Sequence, residues 1–359
     1  MKLNLNGPLN KLSYGYVTWN ILNQLTKMGH EVSMFPIGGW QNTQFDERAY
    51  PNYHEIIKKA RNQADLFEHP KLDTVRIFHQ FSMAESIGAG KRIGFPIFEL
   101  DRFTTQEKNH LRSLDEIWVT SNWGKGVVEK EVPGIPCKVI PLGYDPDIFF
   151  PNRPFPAQSD TFVVGNIGKL EHRKGHGEIV EIFNAAFEKT DDVELWLGLD
   201  SFHVVQSDLD NFVKQCKESK LGDKIRFIPR MDSQVDVAEI INCFDVGLFP
   251  SRAEGWNLEL LECLACDIPC VATDYSAHTE FCRADEVYLV KPEFMELAHD
   301  GRWFFSKGYW AQINKEEKDQ FVDHIRYLYK NRNPSYSSIH AKTYTWEATC
   351  VGILEELSL

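Results

Sequence analysis

The sequence predicts an α/β protein made of two doubly wound, parallel-sheet domains. Three observations carry that expectation. The first segment alternates strand, glycine-containing turn, helix and strand. The same alternation restarts near residue 161. Between them, Gly143 to Pro156 holds four prolines (Pro146, Pro151, Pro154 and Pro156) and reads as an extended linker. A chain of 359 residues is long enough for two domains. The boundaries expected are 1–150, 151–345, and a terminal helix over 346–359 that returns to the first domain.

Each element has its own signal. Lys2–Asn6 is a short strand, and Gly7 to Gly15 a loop of Gly, Pro, Asn and Ser. From Tyr16 to Met28 the apolar residues Val17, Ile21, Leu22, Leu25 and Met28 form one helical stripe, and Gly29 suits the C-cap. Glu31 to Pro36 returns as a strand, completing a β-α-β unit and implying parallel pairing. Thr74–Phe78, Arg92–Phe98, Glu116–Thr120 and Val139–Pro141 continue the sheet, with a polar helix over Thr105–Leu114. The second half opens with the β-branched run Thr161–Ile167, a loop over Gly168–Gly177 and a helix over Glu178–Phe187. Strands follow at Glu194–Leu199, Lys224–Ile228, Val246–Phe249, Cys270–Ala272 and Val287–Val290. Helices fit Leu209–Lys217, Val235–Cys243, Leu258–Ala265, Lys315–Tyr329 and Trp346–Leu357. Two such sheets would meet at a cleft along their strand C-terminal ends, where open α/β sheets bind ligands.

Composition narrows the function. Apolar residues at 43% and charged residues at 25% describe a globular chain rather than a disordered one. The first 150 residues carry 17 basic and 17 acidic groups, so the net charge of −13 belongs to the rest. Neither half is basic in bulk, which argues against nucleic acid as a partner. No run of about 18 apolar residues suggests a membrane span, and Met1 to Asn10 shows no secretory pattern. The eight cysteines have no framework spacing and read as reduced thiols in a cytoplasmic protein. Cys263, Cys266, Cys270 and Cys282 form the one zinc-like cluster. Its spacings fit neither ribbon nor finger, and Cys263 and Cys266 sit within an apolar helical run, so buried thiols are the simpler reading and no metal is expected.

Two constellations point to chemistry. In Pro250-Ser-Arg-Ala-Glu254-Gly-Trp-Asn-Leu-Glu-Leu-Leu-Glu262 a strand ends, a small-residue loop follows, and a helix begins near Asn257. Its N-terminus offers unsatisfied N–H groups and the positive dipole end, a natural seat for a diphosphate. Eight helical residues would separate Glu254 from Glu262 by about 12 Å, beyond the roughly 5–9.5 Å of a glycosidase pair. The two acids therefore suit two ends of one long ligand. Glu259 reads as a solvated helix charge. The second constellation is Gly165-Asn-Ile-Gly168-Lys169-Leu-Glu-His-Arg173-Lys174-Gly175, at the end of the second domain's first strand. Lys169, Arg173 and Lys174 are cations suited to phosphate oxygens, and Gly168 and Gly175 allow close backbone approach. A solvated basic loop is the bland alternative, weakened by the acidity of the surrounding domain. His172, His176 and His278 read as surface or local hydrogen-bonding residues.

With these residues in view, the sequence resembles retaining glycosyltransferases of the GT-B fold, and is most similar to glycosyltransferase family 4. Glu254 and Glu262 match that family's E-x7-E motif. Gly168-Lys169 and Arg173-Lys174-Gly175 resemble its basic loop. Asp115 to Trp123, Val139 to Asp145, Cys270 to Asp274 and Tyr344 to Glu347 resemble further family segments. Gly255-Trp256-Asn257 stands where many members have Gly-Phe-Gly, and Lys169 where Arg is common.

The resemblance implies a transferase that moves a sugar from a nucleotide-sugar, a UDP-sugar ahead of a GDP-sugar, to a hydroxyl of a glycan, small molecule or other acceptor. It implies retention of anomeric configuration by front-face attack, with the leaving phosphate taking the proton and no metal or other cofactor required. Glu254, Lys169 and Lys174 would be the catalytic set. Glu262 would hold the ribose, and the backbone of Gly255, Trp256, Asn257 and Leu258 would face sugar and phosphate. Gly168, Arg173 and, from the first domain, Gly15 would line the donor, with Arg230 and Met231 near the base. His79, Glu99 and Asp101, at strand ends of the first domain, would face the acceptor. Other readings carry less. A sugar-nucleotide epimerase would need elimination chemistry rather than a basic loop. A non-catalytic carbohydrate-binding descendant would be expected to lose Glu254 or the lysines. A transferase acting on modified DNA bases would be expected to be basic.

Overall fold

A computed structural model describes residues 1–66, 69–85, 87–152, 161–199, 204–332 and 335–358. Pro154 and Pro156 of the expected linker lie outside the described residues. The chain divides into two compact units, Met1–Asp145 with Tyr344–Leu359, and Pro146–Thr343.

The first unit holds strands β1 (Lys2–Gly7), β2 (Glu31–Pro36), β3 (Thr74–Phe78), β4 (Arg92–Pro96), β5 (Glu116–Val119) and β6 (Cys137–Val139). Its helices are α1 (Ser13–Lys27), α2 (Tyr53–Ala64), α3 (Thr105–Arg112) and α4 (Asn122–Glu131). The strands form one parallel sheet in the order β2-β1-β3-β4-β5-β6. Strand order reverses between β1 and β3, so the loops after these strands flank the switch point where such sheets bind ligands. Leu3, Leu5, Val75 and Ile77 bury one face of the sheet centre, with Val17, Ile21 and Leu22 of α1 also out of water. A capping box starts α3: the Thr104 hydroxyl accepts from the Glu107 amide at 3.2 Å, and the Glu107 carboxylate accepts from the Thr104 amide at 2.6 Å.

The second unit holds β7 (Phe162–Ile167), α5 (His176–Ala186), β8 (Val193–Gly198), α6 (Gln206–Glu218), β9 (Ile225–Phe227), α7 (Gln234–Ile241), β10 (Val246–Phe249), α8 (Leu258–Ala265), β11 (Cys270–Thr273), α9 (His278–Phe281), β12 (Tyr288–Val290), β13 (Met295–His299), β14 (Phe305–Ala311) and α10 (Lys315–Lys330). Six of these strands make a parallel sheet, ordered β12-β11-β10-β7-β8-β9. Its switch point lies between β7 and β10. Phe162, Val164, Leu195, Leu197, Val246 and Leu248 form the sheet side of the core, and Ile179, Phe183, Phe321 and Ile325 the helix side.

The last helix, α11 (Trp346–Leu357), belongs to the first unit. The Thr349 hydroxyl donates to the Pro141 carbonyl at 2.9 Å, and the Cys350 thiol lies 3.7 Å from the Ile21 carbonyl. Seven of the eight cysteines are buried. Among the described residues no helix is long and apolar enough to cross a membrane.

Five elements go beyond the sequence expectations: helices α2, α4 and α9 and strands β13 and β14. Helix α2 buries only Tyr53, Ile56 and Ala60 of its twelve residues, a stripe too thin to stand out in YHEIIKKARNQA. Helix α4 carries two glycines, which weaken any helix signal. The antiparallel hairpin of β13 and β14 lies outside both sheets. It is held by Glu296, which accepts from Trp310 Nε1 at 3.0 Å and from Arg252 Nε at 2.8 Å.

Candidate active site

The loops after β7 and β10 flank the second sheet's switch point, and their side chains interlock there. Gly175 is positioned by two requirements at once. Its φ is +74°, and a Cβ would meet the Pro250 carbonyl oxygen at 2.4 Å. Gly168 makes room for a neighbour, since a Cβ there would come within 2.9 Å of the Lys174 stem. The two loops are then tied by the Arg252 amide, which donates to the Arg173 carbonyl at 2.7 Å.

Glu254 is the centre of the cluster. Its backbone is pinned by the turn before α9: the Glu254 amide donates to Ser276 Oγ at 2.8 Å, and the Ala277 amide to the Glu254 carbonyl at 3.2 Å. Its Oε2 pairs with Arg173 Nη1 at 2.6 Å and its Oε1 with Lys174 Nζ at 3.2 Å. All three side chains are at least nine-tenths buried, at 5%, 4% and 8% exposed. Burial alone would raise the Glu254 carboxyl, but Arg173 and Lys174 outweigh it and hold it well below the usual carboxylate range. Lys174 faces a second carboxylate, Glu259 Oε2 at 3.6 Å. Burial opposes its charge, yet Glu254 and Glu259 together keep the ammonium protonated above the ordinary lysine range.

Glu171 extends the network. It pairs with Lys169 at 3.1 Å and with Arg173 Nη2 at 2.9 Å. Burial works against its ionisation, but Arg173, Lys169 and Lys174 bring it down to about 2. Arg173 also donates to the Ala253 carbonyl at 2.7 Å. The guanidinium is thus a buried counter-charge for Glu254 and Glu171. Lys169, with 36% of its side chain exposed, is the cation at the rim.

Helix α8 begins with Asn257 at φ +84°. Asparagine tolerates this left-handed backbone, which explains how it stands in for a glycine. Its Oδ1 accepts from the Leu260 amide at 3.2 Å, capping the helix. Its Nδ2 must then donate to His278 Nε2, 2.9 Å away, and His278 Nδ1 donates to the Thr273 carbonyl at 2.9 Å. His278 is therefore held neutral with its proton on Nδ1; burial lowers its pKa. Asn257→Ala should lose the cap and the His278 bond, and strain the backbone as well. It should be less stable in urea unfolding than Asn257→Gly by about 1 kcal/mol. Equal stability of the two variants would show that the positive φ exerts no strain.

Glu262 lies further along α8, 7% exposed. Burial, and then the Glu259 carboxylate, push its carboxyl well above the ordinary range. Arg252 braces the site from outside. Its guanidinium donates to Glu296 at 2.8 Å, to the His172 carbonyl at 3.0 Å and to Glu178 at 2.7 Å, joining the basic loop, α5 and the β13–β14 hairpin.

The structure thus brings together Glu254, Lys169, Lys174, Arg173, Gly168, Gly255 and Asn257 around the start of α8. Trp256 is different in one respect: its ring packs against Phe281 at 4.9 Å, and the residue as a whole is buried. Leu258 opens α8. Arg230 and Met231 follow β9 at the sheet edge, with Arg230 Nε 3.9 Å from Asp232. In the first unit, Gly15 lies in the first turn of α1, where the space for a side chain is filled by Asn10. His79 follows β3, and Glu99 and Asp101 follow β4, all partly buried.

Four participants escaped the sequence reading. Glu259 is a partner of Lys174 rather than a solvated charge. Arg252 and His278 bond to groups on other segments, while Glu171 pairs within its own loop, with Lys169 and Arg173 two residues to either side. Of the two readings offered for His176, surface or local hydrogen bonding, the second holds: it is buried at 2% exposure with Nδ1 3.4 Å from the Glu171 carbonyl, and burial brings its imidazole down to about 4. Among the described residues no group of three or more metal-ligating side chains is assembled.

A family model described as "Glycosyl transferases group 1" matches residues 151–346. No curated protein matches the sequence. Among solved structures, the chain is similar to the sucrose-phosphate synthase of Thermosynechococcus elongatus, with a TM-score of 0.70 at 15% identity over 100% of this chain and 98% of that one. It is equally similar to Anabaena Alr3699/HepE in complex with UDP and glucose, with a TM-score of 0.70 at 14% identity over 100% and 99%. The α,α-trehalose 6-phosphate synthase of Burkholderia multivorans follows, with a TM-score of 0.65 at 11% identity over 99% and 98%.

Proposed function

This chain belongs to the glycosyl transferases group 1 family, and from that premise we propose that it moves a sugar, with retention, from a UDP-sugar to a hydroxyl acceptor. Its fold is GT-B, with two parallel six-stranded sheets, and the protein is a glycosyltransferase. A GDP-sugar is the second choice of donor, and the acceptor is a glycan, a small molecule or another hydroxyl compound. The reading follows the pattern of glycosyltransferase family 4 and a cytoplasmic setting. Residues 1–150 serve the acceptor, 151–345 the donor, and the helix from 346 returns to the first domain. UDP as the nucleotide is supported by the complex of Anabaena Alr3699/HepE, a protein of the same fold.

The observation that carries the proposal is the buried Glu254–Arg173–Lys174 cluster beside the N-terminus of α8. Two of its members have distinct work. Lys174, held charged by Glu254 and Glu259, stabilises the negative charge that builds on the leaving diphosphate. Lys169 and the first-turn amides of α8 add to that field. Glu254 stays ionised through the reaction, which makes it a poor acid and a weak base, so it accepts hydrogen bonds from the sugar hydroxyls. The proton of the attacking hydroxyl then passes to the leaving phosphate oxygen on the same face. The C–O bond to phosphate breaks as the bond to the acceptor oxygen forms, and no side chain need take the proton. Glu262 receives the ribose hydroxyls, and Arg230 and Met231 lie toward the base.

A thermal-shift screen of UDP-, GDP-, ADP- and dTDP-sugars, with and without Mg²⁺, tests this. A ligand bound only by the folded chain raises the melting temperature by mass action. The UDP-sugar is expected to do so without the metal, and Glu262→Gln should abolish the shift. The same variant should raise the ligand-free melting temperature, because it replaces a buried carboxyl whose ionisation burial disfavours. No shift from any sugar nucleotide, or a shift that survives in Glu262→Gln, would overturn the donor-site assignment.

A further inference from the structure

The hairpin outside both parallel sheets leaves one of its strands with an open edge. β13 and β14 form a two-stranded antiparallel sheet. The Gln312 amide donates to the Phe294 carbonyl at 3.0 Å, and the Asp300 amide to the Phe304 carbonyl at 3.0 Å. Antiparallel ladders alternate, so between these two bonds Glu296 and Ala298 turn their backbone groups toward β14. The N–H and C=O groups of Met295, Leu297 and His299 then point the other way. The far edge of β14 is taken up at its end, where the Ala311 amide donates to the Arg252 carbonyl at 2.9 Å. Among the described residues no strand pairs with the outer edge of β13.

The devices that keep such an edge from pairing are missing. Edge strands are guarded by lysine, proline, a bulge or an unpaired charge. Met295–His299 has no lysine and no proline. The irregularity in the hairpin falls on the other strand: between the pairs Leu297–Tyr309 and His299–Phe305, one residue intervenes on β13 and three on β14. The only acid of β13, Glu296, is already paired with Arg252 at 2.8 Å. Met295 and Leu297 share the other face at 41% and 52% exposure, and Phe305, opposite His299, is exposed as well. Apolar side chains thus stand in water along an open backbone edge.

A second copy of β13 completes this edge in one register. Outward-facing groups must meet outward-facing groups, so an antiparallel partner can move only in steps that keep Met295, Leu297 and His299 opposite one another's set. Centred on Leu297, the pairing sets Met295 opposite His299 of the second copy and Glu296 opposite Ala298. One step in one direction would set Glu296 opposite Glu296. One step in the other would set Glu296 opposite Asp300. Like charges directly opposite are destabilising, so the charges select the centred register.

We propose that β13 pairs antiparallel with β13 of a second copy of this chain, about a two-fold axis at Leu297, joining two hairpins into one four-stranded sheet. The contact is isologous and closes at two copies. It brings together two strands of five residues, so the dimer is a weak, concentration-dependent one.

Sedimentation equilibrium of the full-length protein over roughly 1–200 µM, the range of a weak interface, tests this. The mean mass should rise with concentration toward twice that of the monomer. Leu297→Lys sets two ammonium groups face to face at the axis and should hold the protein at the monomer mass. Its melting temperature should stay near that of the wild type, because the side chain it replaces is exposed. Val351→Lys, at an exposed apolar position of α11, should leave the dimer intact. The register has its own test. Met295→Lys combined with His299→Glu in one chain sets opposite charges against each other in both copies, and should dimerise several-fold more tightly than either single variant. Amide hydrogen exchange over Met295–His299 should slow as the concentration rises, while that of the buried strand Phe162–Ile167 should not change. A monomer at every concentration, a dimer that survives Leu297→Lys, or a double variant no tighter than its single parents would overturn the proposal. A monomer that floats with phosphatidylglycerol vesicles would overturn it too, and would give the apolar face to a lipid surface.

Discussion

Lys174→Ala should lower kcat by about 10²–10³-fold while changing donor affinity only a few-fold. The ammonium is buried between Glu254 at 3.2 Å and Glu259 at 3.6 Å, so its position is set before any ligand arrives. A charge held in place costs no reorganisation when the diphosphate leaves, which is why its effect belongs to turnover. Lys169, more than a third exposed and paired with Glu171, is screened by solvent. Lys169→Ala should therefore cost less, about tenfold. Single-turnover rates at saturating donor separate chemistry from binding, and the melting temperature of each variant separates both from folding. An unchanged kcat in Lys174→Ala would remove Lys174 from the phosphate site.

The second large effect is on stability. Arg173→Met should destabilise the second unit by about 3–5 kcal/mol, because it leaves two buried carboxylates short of a partner. Of the close ion pairs described, Glu254 would keep the one with Lys174 and Glu171 the one with Lys169. The pH dependence identifies the cause. Both carboxyls have native pKa values below their unfolded ones, Glu171 at about 2. Their contribution is fully present above the unfolded value of roughly 4.3 and is lost as the pH falls from there toward 2. The wild-type protein should thus lose stability steeply across that window. Arg173→Met should lose less, so the gap between the two proteins narrows as the solution is acidified. Urea midpoints at pH 7, 5, 4 and 3 would show the curves converging; parallel curves would mean that the arginine acts by packing alone.

The fold class was legible because parallel sheets bury both faces and so write their strands as β-branched and aliphatic runs. Phe162–Ile167, Val246–Phe249 and Cys270–Thr273 are such runs, each followed by a turn and a helix. Elements whose stability comes from partners elsewhere were not legible. Helix α2 turns only three side chains inward, and the β13–β14 hairpin is anchored by Arg252, more than forty residues upstream of Glu296. The acids and cations of the two central loops stood out as residue types at strand ends, but their pairings did not. Glu259 looked like any first-turn helix carboxylate, and Arg173 looked like a phosphate ligand until its fork was found occupied by Glu254, Glu171 and the Ala253 carbonyl.

By itself the sequence determined the alternating α/β order, the parallel sheets and the chemical types gathered after β7 and β10. These follow from local periodicity and from the backbone preferences of Gly175 and Asn257, which need only near neighbours to act. Tertiary structure alone decided which carboxylate meets which cation, which ring nitrogen of His278 carries the proton, and how far each acid is driven from its ordinary pKa. Those properties depend on burial and on partners brought within about 3 Å from distant parts of the chain, where the field of a charge is strong and water no longer screens it.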